Sequence, residues 1–325
     1  MIPKQPPRDG RPGFLYLPPY RLSGISVAGE QTALHIPEFG VVFDMGQCVR
    51  SSLAADVVAL SHPHMDHVGA LPYWFSQRHF QKLEGGRCLC HPDTEGPLKR
   101  MLASWADLER QHTPHEIVPV APEEEITLRQ NVVLRAIETQ HTCPSLGWSL
   151  IEYRHKLKEE FQSIPQSKLR ELRENGQEIT TATEIPLVAY TGDTLRGDFL
   201  ERPEFAKAKI VITECTFFDP DHRERAAIGQ HLHFDDLIEL AQTWEAEHIV
   251  VVHLSRRTLL SSAAERIRSL GNPDAQRIHL LMDHKSNRRR YEQQLVEAQM
   301  ETEANRATAP NSEDSDCQRV PEEGS

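Results

Sequence analysis

Ser61-His62-Pro63-His64-Met65-Asp66-His67 sets three histidines and a carboxylate within six residues, directly behind the apolar run Val57-Val58-Ala59-Leu60. A buried strand that delivers such a loop can aim His62 and His64 at one metal ion, and Asp66 and His67 at a second. Imidazole nitrogen suits zinc, and a carboxylate completes or tunes such a site. A chain with 17 histidines will hold a His-rich polar loop by chance. Here, however, the spacing recruits partners further along.

Those partners stand just past later apolar runs. His141 follows Val132-Val133-Leu134-Arg135-Ala136-Ile137, Asp193 follows Leu187-Val188-Ala189-Tyr190, and His253 follows His248-Ile249-Val250-Val251-Val252. Any one alone reads as an ordinary loop residue. Together they complete two sites: His62, His64 and His141 on one, Asp66, His67 and His253 on the other, with Asp193 bridging. Two ions about 3.5–4 Å apart can hold a hydroxide between them and neutralise charge during an in-line displacement.

With these residues on the page, the chain resembles the metallo-β-lactamase superfamily, whose signature is His-x-His-x-Asp-His followed by His, Asp and His. Within it, the motifs are similar to those of the ribonuclease Z family, short form, over roughly residues 21–283. Phe43-Asp44-Met45-Gly46 matches the first family motif, in which the Asp organises the site without binding metal. His141-Thr142-Cys143-Pro144-Ser145-Leu146-Gly147-Trp148 matches His-x-x-x-Ser-x-Gly-Tyr, with Trp for Tyr, and Tyr190-Thr191-Gly192-Asp193-Thr194 matches the bridging-Asp segment. Glu214-Cys215-Thr216-Phe217, Gln230-His231-Leu232-His233 and Val252-His253-Leu254-Ser255-Arg256-Arg257 resemble the remaining motifs. Gln230, Leu254 and Thr258 depart from the usual Gly, Phe and Tyr. None is a metal ligand.

The resemblance implies an endoribonuclease that removes the 3′ trailer of precursor tRNA with two Zn²⁺ ions, Mn²⁺ being the alternative metal. It also implies a homodimer in which one subunit's insert clamps tRNA bound at the other. Asp66 is then within reach of the attacking water. His231, oriented by Glu214, supplies the proton that the leaving oxygen needs. Without the resemblance, His231 and His233 read as a solvated pair at a helix N-terminus with Asp235; His233 is expected to be structural. Ile164-Pro165 and Lys168-Leu169-Arg170-Glu171-Leu172-Arg173-Glu174-Asn175-Gly176 are similar to the family's substrate insert, placed at about residues 154–185. Lys168, Arg170, Arg173, Ser145 and Arg257 are the candidate substrate contacts.

The alternation of strand-like and helix-like runs predicts an α/β fold, an αββα sandwich with the metals at one open edge. One hydrolase domain is expected over 21–300, preceded by an extended Pro-rich arm (1–20) that is partly ordered at Phe14-Leu15-Tyr16, and followed by an acidic disordered tail (301–325). No internal repeat is evident. Six scattered cysteines without a disulfide-like framework, and no export signal or membrane-spanning run, predict reduced thiols in the cytoplasm. Cys88-Leu89-Cys90-His91 lacks a matching pair and reads as strand. The formal net charge is −12, and the tail's seven acidic and two basic residues account for −5, leaving the body near −7. RNA-binding domains are usually basic, so the charge favours the rivals: a dinuclear hydrolase of a small phosphodiester, lactone or thioester, or a non-catalytic metal-binding scaffold. The insert speaks against the first, and the intact ligand set against the second.

Overall fold

The computed structural model describes residues 12–83 and 85–308. Two seven-stranded sheets face each other. The first carries β1 (Gly13–Leu17), β2 (Tyr20–Val27), β3 (Gln31–Ile36), β4 (Val41–Phe43), β5 (Val57–Ala59), β6 (Arg87–Cys90) and β7 (Glu116–Pro119), in chain order. The second carries β8 (Glu125–Arg129), β9 (Val132–Glu138), β10 (Leu146–Leu157), β11 (Thr180–Tyr190), β12 (Ile210–Glu214), β13 (His248–Val252) and β14 (Ile278–Leu280), also in chain order. Each sheet starts as an antiparallel meander of four strands and ends in parallel strands. The two halves therefore repeat one topology that the sequence conceals.

The strands' alternation explains the layers. Leu34, Phe43, Val57 and Leu89 of the first sheet meet Leu134, Trp148, Tyr190 and Val250 of the second in a central core. Opposite-face residues Val42, Val58, Cys88 and Cys90 pack under α2 (Leu71–Phe80) and α3 (Pro92–Glu109), which follow the short α1 (Met65–Val68). Past α4 (Gln166–Glu174), the outer face of the second sheet is covered by α5 (Pro203–Ala206), α7 (Phe234–Thr243) and α8 (Leu260–Arg268). The short α6 (Arg223–Gly229) precedes α7, and α9 (Asp274–Arg277) precedes β14. The arrangement is the four-layered αββα sandwich that two half-buried sheets require. Trp148, which stands where the family has Tyr, ties the sheets by donating from its indole N–H to Leu60 O at 3.1 Å.

Three boundaries differ from the sequence expectation. Residues Gly13–Leu17 of the Pro-rich arm form edge strand β1, with Leu15, Tyr16 and Leu17 buried. At the other end, α10 (His284–Thr308) runs through residues 301–308 of the expected tail. Its preceding turns pack on β1, where Phe14 and Tyr291 meet edge to face at 5.5 Å. Composition alone does not register that support. Residues 1–11 and 309–325 lie outside the described residues. Finally, β10 and β11 extend beyond their apolar cores as a polar two-stranded arm that carries α4.

Far from the candidate site, His248 of β13 and His279 of β14 touch at 3.3 Å. Burial, and then the Arg290 cation, hold His279 down to about 3 and His248 to about 4. Between about pH 3 and 6.5 the unfolded chain therefore binds protons that the folded chain refuses, and stability falls as pH drops below about 6.5. The urea midpoint is expected to decline from pH 7 to 5 more shallowly in His279→Gln than in the parent. Superimposable pH profiles would exclude this pair as a source of acid sensitivity.

Candidate metal centre

Every candidate ligand, and the non-ligating Asp44 that steadies them, stands at or just beyond a strand's carboxyl end. The His62–His67 loop follows β5, Asp44 follows β4, Asp193 follows β11 and His253 follows β13, while His141 sits in the β9–β10 loop. Two of these residues, Asp44 (φ 61°) and His253 (φ 58°), occupy the left-handed region. Such backbone is unfavourable for a side chain and persists where the surroundings enforce it, often at functional sites. Gly46 is required for a different reason: a Cβ there would lie 1.7 Å from Asp66 O. That close approach seats the β4 loop against the metal loop.

The ligand atoms of His62, His64 and His141 lie within 4.8 Å of one another, as do those of Asp66, His67 and His253. Nearest nitrogens are 3.0 Å apart for His62–His64, 3.2 Å for His64–His141 and 3.3 Å for His67–His253. Nitrogens about 2.0–2.1 Å from one tetrahedral ion are separated by about 3.3–3.4 Å, so these spacings suit metal coordination. Asp193 lies between the groups. Its Oδ2 is 3.2 Å from both His67 Nε2 and His253 Nε2, and 3.8 Å from His62 Nε2. Its Oδ1 is buried without a hydrogen-bond partner. Burial would push this carboxyl up, but His253 and His67 outweigh it and hold it well below the usual carboxylate range. A buried anion with an orphaned oxygen needs a cation, and the donor set fits one.

Asp44 holds the loop in place. Its carboxylate accepts from Ser61 N (2.6 Å), Ser61 Oγ (2.8 Å), the Tyr190 hydroxyl (2.7 Å) and His67 Nδ1 (2.8 Å). The last bond turns His67 Nε2 toward the centre. Likewise, His141 Nδ1 donates to Gln230 O at 3.1 Å, leaving Nε2 to face His64. Gln230 is itself left-handed at φ 53°, where the family's usual Gly carries no such strain. Asp66 Oδ2 accepts from the Gly29 N–H at 2.8 Å and lies 3.2 Å from His253 Nε2. Burial favours its neutral form, yet His253 and His67 pull it down to about 2.

His231 closes one side, its ring 5.1 Å from that of His141 and 5.4 Å from that of His253. Its Nδ1 donates to Glu214 Oε1 at 3.0 Å. The fully buried Glu214 carboxylate also accepts from Thr194 N, Thr216 N, Thr216 Oγ1 and Leu232 N. Burial alone would lower His231, but Glu214 prevails and raises it to about 9. His233 has a separate job: its ring accepts from Asp235 N, and its backbone N–H donates to Asp236, capping α7.

Tertiary structure adds three residues to which the motifs assign no role. Tyr190 steadies Asp44, and Gly29 reaches Asp66 from a hairpin turn whose only signal is turn chemistry. Thr216 links Glu214 Oε2 (2.7 Å) to His253 Nδ1 (2.9 Å). Among the candidate substrate contacts, Arg257, Lys168, Arg170 and Arg173 are outward-facing, the last three on α4. Ser145 is different: it is 4% exposed and donates to Thr139 O at 3.0 Å. Its hydroxyl serves its own loop and does not line a substrate surface.

Comparison with known proteins matches residues 44–254 to the beta-lactamase superfamily domain. A tRNase Z of Arabidopsis thaliana is 27% identical over 266 residues, 81% of this chain and 95% of the relative. The nuclear ribonuclease Z of Triticum aestivum is 30% identical over 161 residues, 50% of this chain and 92% of that protein. The crystal structure of the short form of human tRNase Z superposes with a TM-score of 0.55 at 16% identity, covering 80% of this chain and 95% of that one. It shares the fold. The match across 44–254, with the extent of the wheat alignment, places this chain in the metallo-β-lactamase superfamily and, within it, in the ribonuclease Z family.

Proposed function

We propose that the protein is a metal-dependent endoribonuclease that removes the 3′ trailer of precursor tRNA. One observation carries the reading: the complete His/Asp set stands beside a His231 that is hydrogen-bonded to the buried Glu214, in a chain whose relatives are named tRNase Z and ribonuclease Z. We assign His62, His64 and His141 to one zinc ion and Asp66, His67 and His253 to a second, with Asp193 shared. When bound, such ions supply charge neutralisation on the phosphodiester and activation of water. Asp66, fixed by the Gly29 N–H, accepts the proton of the attacking water. His231 uses Nδ1 toward Glu214 and is left with Nε2 to protonate the leaving oxygen as its bond to phosphorus breaks.

The arm supports RNA over a small ester as substrate. It presents His155, Arg170 and Arg173 around one concave surface, and a small-molecule hydrolase has no need of it. Arg170 is tied to Glu174 at 3.1 Å, and Arg154 to Glu152 at 2.6 Å, so the positive charge is diluted. The arm leaves its sheet at the end opposite the metal ligands. That direction supports a homodimer in which it serves the partner's substrate. Exposed Tyr73, Phe80, Trp105 and Leu108 on α2 and α3 offer an apolar contact surface. No described helix is long and apolar enough to cross a membrane. Free Cys48, Cys88, Cys90, Cys143 and Cys215 support a reducing, cytoplasmic setting.

Incubation of zinc-loaded protein with a precursor tRNA is expected to release the trailer. Deleting residues 162–176 should cripple that cleavage while a small activated phosphodiester still turns over. Replacing Lys168, Arg170 and Arg173 by Ala should flatten the salt dependence of RNA binding by about 2–3 in log K against log salt, given about 0.7–0.9 per phosphate contact. Equal damage to both substrates would make the arm a part of the fold only. Turnover of small esters with precursor tRNA left intact would favour the small-molecule reading.

A further inference from the structure

The outer face of the second sheet carries a charge cluster that the chemistry above does not use. Arg135 of β9, with its side chain 14% exposed, donates from Nε to Glu125 of β8 at 2.8 Å and from Nη1 to Glu204 of α5 at 3.0 Å. It also grips both carboxylate oxygens of Glu184 on β11, at 2.9 Å each, and donates to the Tyr153 hydroxyl of β10 at 3.2 Å. That hydroxyl donates onward to Glu125 at 2.8 Å. Five elements thus meet at one guanidinium.

The register shows what this cluster holds. β9 pairs with β10 only as far as Val132↔Glu152, whereas β10 and β11 continue together through Tyr153↔Glu184 to Leu157↔Thr180. The Tyr153 N–H still donates to Asn131 O, just before β9, at 2.8 Å, so Tyr153 and Glu184 stand where the third strand's support ends. A two-stranded ribbon is soft to twisting and is marginal by itself. A bidentate guanidinium–carboxylate contact at its root has defined geometry. Isolated exposed ion pairs contribute little, but here one half-buried cation is shared by three carboxylates. The bond to Glu184 raises Arg135 above its ordinary range, and Glu184 is lowered in return.

We propose that Arg135 is a positioning residue for the arm. Through Glu184 and Tyr153 it fixes the direction in which the β10–β11 hairpin leaves the sheet, and thereby how well the arm presents RNA. The idea rests on the reading that the arm takes the substrate. The test uses the full-length, zinc-loaded protein and two variants. Glu184→Ala removes the bidentate link and leaves Arg135 bonded to Tyr153, Glu125 and Glu204. Arg135→Met removes the hub but leaves three carboxylates close together.

Steady-state cleavage of precursor tRNA is measured beside hydrolysis of bis(4-nitrophenyl) phosphate and amide hydrogen exchange across residues 154–183. For Glu184→Ala, KM for precursor tRNA should rise roughly 5–10-fold, as misplacement far from the chemistry can produce. Its kcat and the small-ester rate should hold, and exchange should quicken in the arm alone. A parallel fall on both substrates would reduce the cluster to support of the fold, and unchanged KM with unchanged exchange would overturn the proposal outright. If the parent leaves precursor tRNA uncleaved, the functional reading fails, yet the exchange comparison still decides whether Arg135 anchors the arm.

Discussion

Asp193→Ala is expected to empty both metal positions, not one. The Asp193 Oδ2 atom is 3.2 Å from nitrogens of His67 and His253 and 3.8 Å from His62, so one carboxylate faces both ligand groups. Loss of a residue behind a ligand costs about 10–100-fold in metal affinity, and loss of a shared ligand should exceed that. Elemental analysis after zinc-replete expression should give close to two ions per chain in the parent and fewer than one in the variant. Hydrolysis of every phosphodiester should fall with the metal. One ion or none in the parent would sink the dinuclear assignment. One ion retained by the variant would show that Asp193 serves a single position.

His231→Ala is expected to keep metal and fold but lose about 10²–10⁴-fold in rate, the scale of a missing general acid. Glu214 raises His231 to about 9 while burial lowers His64 and His141. Against its burial, Asp193 and Asp44 raise His67 too, but its Nδ1 is held by Asp44 and its Nε2 faces Asp193 and His253, so neither nitrogen is turned outward. Glu214→Ala should lose less in the same direction, because it removes the partner that orients the ring and leaves the ring in place. Metal content and thermal stability measured beside the rate separate this from damage to the site. Parent-like activity in His231→Ala would remove the proton-donor assignment and leave His231 a packed side chain next to the centre.

Much of this centre is legible along the chain because its pieces are local. His62, His64, Asp66 and His67 lie within six residues, and the apolar runs before them and before Asp193 and His253 announce strands through residue type and alternation. Chain-local patterns also predict helices over residues 71–79 and 94–110, where the structure has Leu71–Phe80 and Pro92–Glu109. Where support comes from elsewhere, that legibility ends. Gly13–Leu17 follows a Pro-rich stretch, and only pairing with β2 and cover from α10 turn it into a strand. The polar ends of β10 and β11 look like loop because neither faces a core; the partner strand satisfies their backbone.

The same division separates residue types from residue roles. Side-chain chemistry and strand periodicity are short-range properties, written in each residue and its neighbours, so the donor set, the strand ends and the α/β class are all present in the chain itself. Which carboxylate bridges, which histidine caps a helix and which faces the centre depend on distances between groups tens to hundreds of residues apart. His231 and His233 are two residues apart, yet one donates to Glu214 while the other caps α7. Tyr190 reaches Asp44 across 146 positions, and Arg135 finds Glu184 across 49. The Tyr190–Asp44 contact exists only once the two sheets have packed face to face, because close packing of their cores sets the separation and rotation that bring the strand ends together, whereas Arg135 meets Glu184 through strand pairing within the second sheet.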